Sequence, residues 1–249
     1  MEKPKAYGPF HLIFLFVGLA VCILLAFLLR KTGKKGNRAV LLTVGIFLAA
    51  TEIYKQLFYF YHIGDHAYQW WIFPFQLCSV PMYLCLIAPF LREGKVQSAM
   101  YHFMTTFNLL GGLIAFAEPS GLIHGYWTLT LHAFVWHMVL VFVGFYLIAS
   151  GRGAKTMKDY GSSVILFLCL AAAAFLINLI FWDVSGGSIK MFYVGPATSP
   201  IIVFKQISEA CGWFVCDLVY LPALCAGAFL VFLPVYLLER RKRRRSLSQ

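Results

Sequence analysis

Residues 10–29 read FHLIFLFVGLAVCILLAFLL, an unbroken apolar run, and residues 30–38 read RKTGKKGNR, which sets Arg30, Lys31, Lys34, Lys35 and Arg38 directly behind it. About 20 apolar residues, rising about 1.5 Å each in a helix, cross a hydrocarbon core about 30 Å thick. The run is too long for the apolar centre of a signal peptide, and no small-residue cleavage site follows it, so it predicts a retained transmembrane helix. The basic block behind it predicts the cytosolic side, by the positive-inside rule.

Working outward, the same alternation recurs. Apolar runs at 39–61, 72–91, 97–117, 126–149, 160–182 and 211–238 bring the predicted spans to seven. Basic residues return at every second connection, as Arg92 and Lys95, then Arg152, Lys155 and Lys158, then the tail Arg240, Arg241, Lys242, Arg243, Arg244 and Arg245. The opposite side holds only Lys3, Lys5, Lys190 and Lys205. The expected fold is therefore an all-α polytopic membrane protein with seven transmembrane helices, its N-terminus outside and its C-terminus cytosolic. Residues 1–239 form one membrane domain and residues 240–249 a basic cytosolic tail. Trp70, Trp71, Trp127, Trp182 and Trp213 fall at predicted outer ends, where amphipathic indoles prefer to sit, and Trp136 lies deeper.

Composition agrees: 61% of residues are hydrophobic and 12% charged, with a mean hydropathy of +0.76, against about 25% charged in a soluble domain. This excludes a soluble enzyme. The net charge of +11 lies in short loops beside apolar runs, so it is a topology signal and no nucleic-acid partner is expected. Asp183 to Ala210 is the one long connection, with Gly186, Gly187, Gly195, Pro196 and Pro200, and it reads either as a plain loop or as a lid or re-entrant segment. There is no internal repeat, no pair of broken helices of the kind transporters carry, and no nucleotide-binding glycine motif. Neither a cofactor nor a bound metal is expected.

Ionisable residues inside spans are costly and are functional candidates by default. Counted from the outer ends at about 1.5 Å per residue, Cys78 and His132 both lie about 9 Å deep, with Lys55, Asn178 and Asp217 at a similar level. Glu52, Asn108 and His137 lie somewhat deeper, at about 13–17 Å by the same rise. Six of the seven predicted spans thus contribute to one polar layer in the outer half, which predicts a cavity open to the outer leaflet. Each member has a plain alternative. Glu52 and Lys55, three apart on one face, can neutralise each other; Gln76, Asn108 and Asn178 can be interhelical hydrogen-bond glue; Asp217 can face water.

The same holds for cysteine, which when buried usually acts as a small apolar residue. Cys22, Cys85, Cys169 and Cys225 read that way, and Cys211 and Cys216 near the outer side are not expected to form a disulfide. Cys78 differs because Pro74 reads as a first-turn proline, which sets the thiol near the positive end of the helix dipole, where thiolate is favoured. Backbone amides at this helix start are candidate oxyanion donors. His132 is the expected base, and His137, five residues on, supports it by reaching toward Glu52 or Asn108. A zinc site from His132, His137, Glu52 and Asp217 is a rival reading, weakened because the histidines are not four apart.

With these residues in view, the chain resembles the YwaF-like integral membrane family, whose eukaryotic relative is the transmembrane protein 164 acyltransferase. The resemblance spans most of the chain. It rests on Glu52 in the second span, Pro74 to Cys78 opening the third, a Gly-rich fourth span ending in Glu118-Pro119, and His132 with His137 in the fifth. Where family members often have Pro-Leu-His-Leu-Cys, this chain has Pro74-Phe75-Gln76-Leu77-Cys78. The resemblance implies an acyl thioester on Cys78, formed from a phospholipid and passed to a lysophospholipid, in a bacterial plasma membrane or the endoplasmic reticulum. A seven-helix lipid or small-molecule binding protein, receptor-like and without catalysis, is the alternative; oligomeric state is not legible.

Overall fold

The computed structural model describes residues 4–247, so Lys3 of the predicted outer set and Ser248 and Gln249 of the predicted tail lie outside the described residues. The chain is helical throughout, with no strand among the described residues. Its helices are α1 (Pro9–Leu29), α2 (Lys34–Phe58), α3 (Val80–Ile87), α4 (Lys95–Thr105), α5 (Phe107–Ala117), α6 (Trp127–Ala149), α7 (Met157–Ile180) and α8 (Ile202–Leu247). Five are long and apolar enough to cross a membrane: α1, α2 with the turn that extends it to Ile63, α6, α7 and α8. Their outward faces carry exposed Phe16, Ile165, Ile180 and Leu230, apolar side chains that only a lipid environment covers cheaply.

Helix α6 is the spine. Its apolar window is 56% buried against 11% for α1, and it packs against α1, α2, α4 and α5. Small residues set the closest approach. A Cβ on Gly112 of α5 would lie 2.8 Å from Val141 Cγ2, and one on Gly144 of α6 would lie 3.0 Å from Leu109 Cβ, the close helix contact typical of membrane bundles. Toward α7 the core is aromatic, with the Phe107 and Phe167 rings stacked at 4.3 Å.

Two predicted spans are not single long helices. The fourth is divided at Thr106 (φ −120°, ψ −85°) into α4 and α5. The Thr105 and Thr106 hydroxyls both donate to the His102 carbonyl, at 3.0 and 2.8 Å, and so compete with the backbone ladder. The third span is broken more deeply. Residues 73–79 are irregular, and the apolar helix covers only Val80–Phe90, about 16 Å at the usual rise. Pro74 is not in its first turn. Phe73 is extended (ψ 134°) ahead of Pro74, as steric conflict with a following proline ring requires, and the first-turn proline is Pro81.

The long connection is also more than a plain loop. Ile189, Met191, Phe192 and Val194 are buried in the main core, so the segment turns back into the bundle. Phe192 (φ 53°) and Tyr193 (φ 55°) take left-handed backbone angles that are strained for bulky residues. Residues 202–210, predicted as loop, are the first helical turns of α8, which kinks at Gly212 (φ 84°), where the absent Cβ removes the penalty. The helix then continues through the basic residues 240–245.

Candidate active site

The broken third span, the re-entrant segment and the N-terminal half of α6 enclose a cavity of about 360 Å³ whose walls include Lys55, Gln76, Cys78, His124, His132, His137 and Tyr193. Irregular backbone is tolerated at membrane depth where it lines a cavity or is buried in protein, and both irregular segments do so here. Below the cavity mouth, α2 ends in a π turn, Tyr59–Ile63, that brings Tyr59 to the same wall; such turns are frequent at functional sites.

Cys78 sits two residues ahead of α3, on a stretch fastened from three directions. Trp136 Nε1 donates to the Cys78 carbonyl (3.0 Å), Tyr83 donates its hydroxyl to the Pro74 carbonyl (2.7 Å), and Gln76 Nε2 donates to the Lys190 carbonyl (3.1 Å). Gln76 Oε1 in turn accepts from the Phe192 amide (3.1 Å). One amide therefore clamps the cysteine segment to the strained re-entrant turn, using its donor and its acceptor together. Two of the amides at this helix start are already used: those of Ser79 and Val80 both donate to the Gln76 carbonyl, at 2.8 and 3.3 Å, and Pro81 has none.

The histidines face the cavity with a nitrogen to spare. His137 Nδ1 lies 2.8 Å from the Ala133 carbonyl, which can only accept. Nδ1 thus carries the proton, and in the neutral ring Nε2 is left with a lone pair. His137 does not reach Glu52 or Asn108 as expected, because its own helix carbonyl is closer. His132 Nε2 is buried without a hydrogen-bond partner. No hydrogen bond joins Cys78 Sγ to either ring among the described residues, so the cavity itself lies between the thiol and the bases.

The rest of the predicted layer divides. Lys55 Nζ pairs with Glu52 Oε2 at 2.8 Å, and Gln56 Nε2 bridges Glu52 Oε1 (2.7 Å) to the Ile72 carbonyl (2.8 Å). Lys55 lines the cavity, while Glu52, 5% exposed, stands behind as its buried counter-ion. Asn108 is not in the site; it donates to the Met104 and Leu140 carbonyls and ties α5 to α6. Asn178 holds the re-entrant segment, donating to the Met191 and Val194 carbonyls and accepting from the Met191 amide. Asp217 accepts from the Gly195 amide (2.8 Å) and lines a separate groove with Trp213 and Leu218. The single layer inferred from depth is thus a cavity plus the hydrogen bonds that anchor its wall. With Asp217 elsewhere and Glu52 paired, no group of three or more metal ligands forms among the described residues. All seven cysteines are free.

Two residues that sequence reasoning passed over complete the walls. Burial and the nearby Lys55 ammonium hold His124 below the ordinary histidine value, so its ring is neutral at pH 7. Burial, reinforced by the Cys78 sulfur, pushes Tyr193 up to about 12, so its hydroxyl stays protonated. The available signal was the aromatic Phe192-Tyr193 pair bracketed by Gly186-Gly187 and Gly195-Pro196.

A family model described as the TMEM164 family matches residues 6–232. The chain belongs to the TMEM164 family. This agrees with the resemblance read from Pro74 to Cys78 and the paired histidines, and with the long apolar helices it makes the chain a multi-pass integral membrane protein. Neither a curated protein nor a solved structure matches it. In this TMEM164 family member, the two-sided clamp of Gln76 joins the cysteine segment to the turn at 190–193.

Proposed function

We propose that this protein is a lipid acyltransferase that moves a fatty acyl group from a phospholipid to a lysophospholipid through a thioester on Cys78. The observation that carries the reading is the shared cavity, in which Cys78, His132 and His137 line one space and both histidines keep an unbonded nitrogen. Family membership supports it. Cys78 Sγ attacks the ester carbonyl while its proton passes to His132 Nε2. The tetrahedral intermediate collapses, the C–O bond breaks, and the leaving lysophospholipid alkoxide takes that proton. An acceptor hydroxyl then gives its proton to His132 and attacks the thioester carbonyl; the C–S bond breaks, and the departing sulfur takes the proton back from His132, which restores the Cys78 thiol. The Lys55 ammonium and the protonated Tyr193 hydroxyl line the same cavity and are the side-chain donors for the oxyanion.

The reading places the N-terminus outside and the C-terminus in the cytosol. The basic connections gather at the end of the bundle away from Cys78 and the cavity opens toward the outer leaflet. Intact-protein mass spectrometry after incubation with phospholipid tests it. A hydroxylamine-labile acyl adduct that maps to Cys78 is expected; stoichiometric lipid binding without an adduct under turnover conditions overturns it in favour of a non-catalytic lipid-binding protein.

A further inference from the structure

A second polar cavity, of about 460 Å³, lies at the opposite end of the bundle, where α2 starts, α3 gives way to α4, and α6 gives way to α7. Its walls bring together Lys34, Lys35, Arg38 and Arg152 with Glu93 as the only carboxylate among the lining residues. Glu93 is already matched, by Lys34 at 3.0 Å on the exposed rim. Exposed Lys35 and Arg38, the latter with its guanidinium 4.4 Å over the Phe90 ring, and the half-buried Arg152 are the cations left along this concave space.

The backbone adds to this field. Helices α2 and α4 both begin at the cavity, after Gly33 and Gly94. Neither has a side-chain cap nor an acidic residue in its first turn. Two helix N-termini, with free N–H groups and positive dipole ends, therefore converge on the cations. Gln97 Nε2 donates to the Ala88 and Leu91 carbonyls at 2.9 and 3.2 Å, which fixes the α3–α4 wall. Arg152 supplies an independent sign of a missing partner. Its Nη2 donates to the Thr32 carbonyl at 2.6 Å, whereas Nη1 is buried with no hydrogen-bond partner. A guanidinium nitrogen left unpaired in a buried setting costs free energy unless an acceptor arrives, and Arg forks match phosphate oxygens.

We propose that this cavity binds a phosphate-bearing anion, with Arg152 Nη1, Lys35 and Arg38 as its cationic contacts, at a site separate from the Cys78 cavity. A lipid headgroup and a soluble phosphate share this chemistry, and the test has an arm for each. The full chain, purified in detergent, is incubated with equal amounts of dioleoylphosphatidylglycerol and dioleoylphosphatidylcholine, and retained lipid is read by native mass spectrometry. Its melting temperature is separately measured with millimolar inorganic phosphate. Preferential retention of phosphatidylglycerol by about tenfold, falling to parity in the exposed-residue variant Lys35→Gln/Arg38→Gln and weakened in Arg152→Lys, supports the site with a headgroup as occupant. A rise in melting temperature with phosphate alone, lost in the same variants, supports it with a soluble phosphate. Equal retention of the two lipids together with no phosphate effect overturns it, as does a preference or shift that the variants leave intact.

Discussion

The two polar ends of this bundle spend their hydrogen bonds differently. At the basic end, alongside the backbone contacts of Arg152 and Gln97, a chain of side chains bonds one another. The Thr32 hydroxyl and Tyr146 hydroxyl meet at 2.7 Å, Tyr146 donates to Asn37 Oδ1 at 3.0 Å, and Asn37 Nδ2 donates to the Tyr101 hydroxyl at 3.1 Å. That relay ties α2, α4 and α6 together where all three are regular helix. At the Cys78 end, behind the Glu52–Lys55 pair, the irregular segments are held by side chains bonded to backbone: Gln76, Tyr83 and Trp136 hold the stretch 74–78 through its carbonyls and its neighbours, and Asn178 holds 191–194. The second arrangement immobilises strained backbone while leaving imidazole nitrogens unbonded in the cavity that Cys78 lines. The first builds stability from its polar groups; the second builds a preorganised, unsaturated cavity, which is what catalysis by positioning needs.

The sharpest way to break this comparison is Cys78→Ala. The Cys78 thiol is small, only partly buried at the edge of the core and in no disulfide or ion pair, so the variant is expected to melt within a few degrees of the wild type, yet to lose the acyl adduct entirely and transfer by a factor on the order of 10³ or more. Retained transfer, measured with purified protein and fluorescent phospholipid, would remove chemistry from that end. Next comes Gln76→Ala, which cuts both bonds between the cysteine segment and the 190–193 turn. A displacement of about 1 Å at the nucleophile is worth about 10²-fold in rate, so a loss of that order is expected, with Gln76→His retaining more activity because imidazole also offers a donor and an acceptor. Equal losses in the two variants would show that the clamp does not position Cys78.

Tyr146→Phe probes the other end. Tyr146 is fully buried, and its hydroxyl serves both Thr32 and Asn37; removing it leaves polar groups unpaired at a cost of about 1–3 kcal/mol. The melting temperature should fall, while adduct formation per folded molecule at Cys78 stays at the wild-type rate. A loss of adduct rate beyond the folded fraction would show that the two ends are coupled.

How far sequence carried the fold follows the same division. Regular apolar runs with charged borders predicted α1, α2, α6 and α7 closely, because membrane thickness and the cost of unpaired backbone leave a long apolar run few alternatives. The breaks were hidden. Pro74 and Pro81 both offer a first-turn proline to the third span, and only packing against Trp136 and the re-entrant segment decides that Pro81 takes the role. Depth found Cys78, His132, His137 and Lys55 together, since residues at one level on neighbouring helices tend to meet. It also gathered Asn108, Asn178 and Asp217, because depth carries no information about direction around a helix. His124 and Tyr193 were missed for the opposite reason: they come from connections, where helical counting assigns no depth.

The smallest expected effect concerns His124, which donates its backbone amide to Thr130 Oγ1 at 3.0 Å and places Nδ1 3.5 Å from the Tyr59 hydroxyl. Burial, then the Lys55 charge, lowers its affinity for a proton in the folded protein below that of the unfolded chain. Between the folded value and the unfolded value of about 6.5, the unfolded state binds more protons. Stability therefore rises with pH through that window, is fully present above it, and is lost as pH falls. Melting temperatures of the wild type and His124→Gln, taken from pH 5 to pH 8, isolate this contribution, because every other titrating group is common to both. The wild type should lose more stability than the variant on going from pH 8 to pH 5. Parallel curves would mean that the ring is solvated and that the cavity at the Cys78 end is wetter, and less preorganised, than its unbonded nitrogens imply.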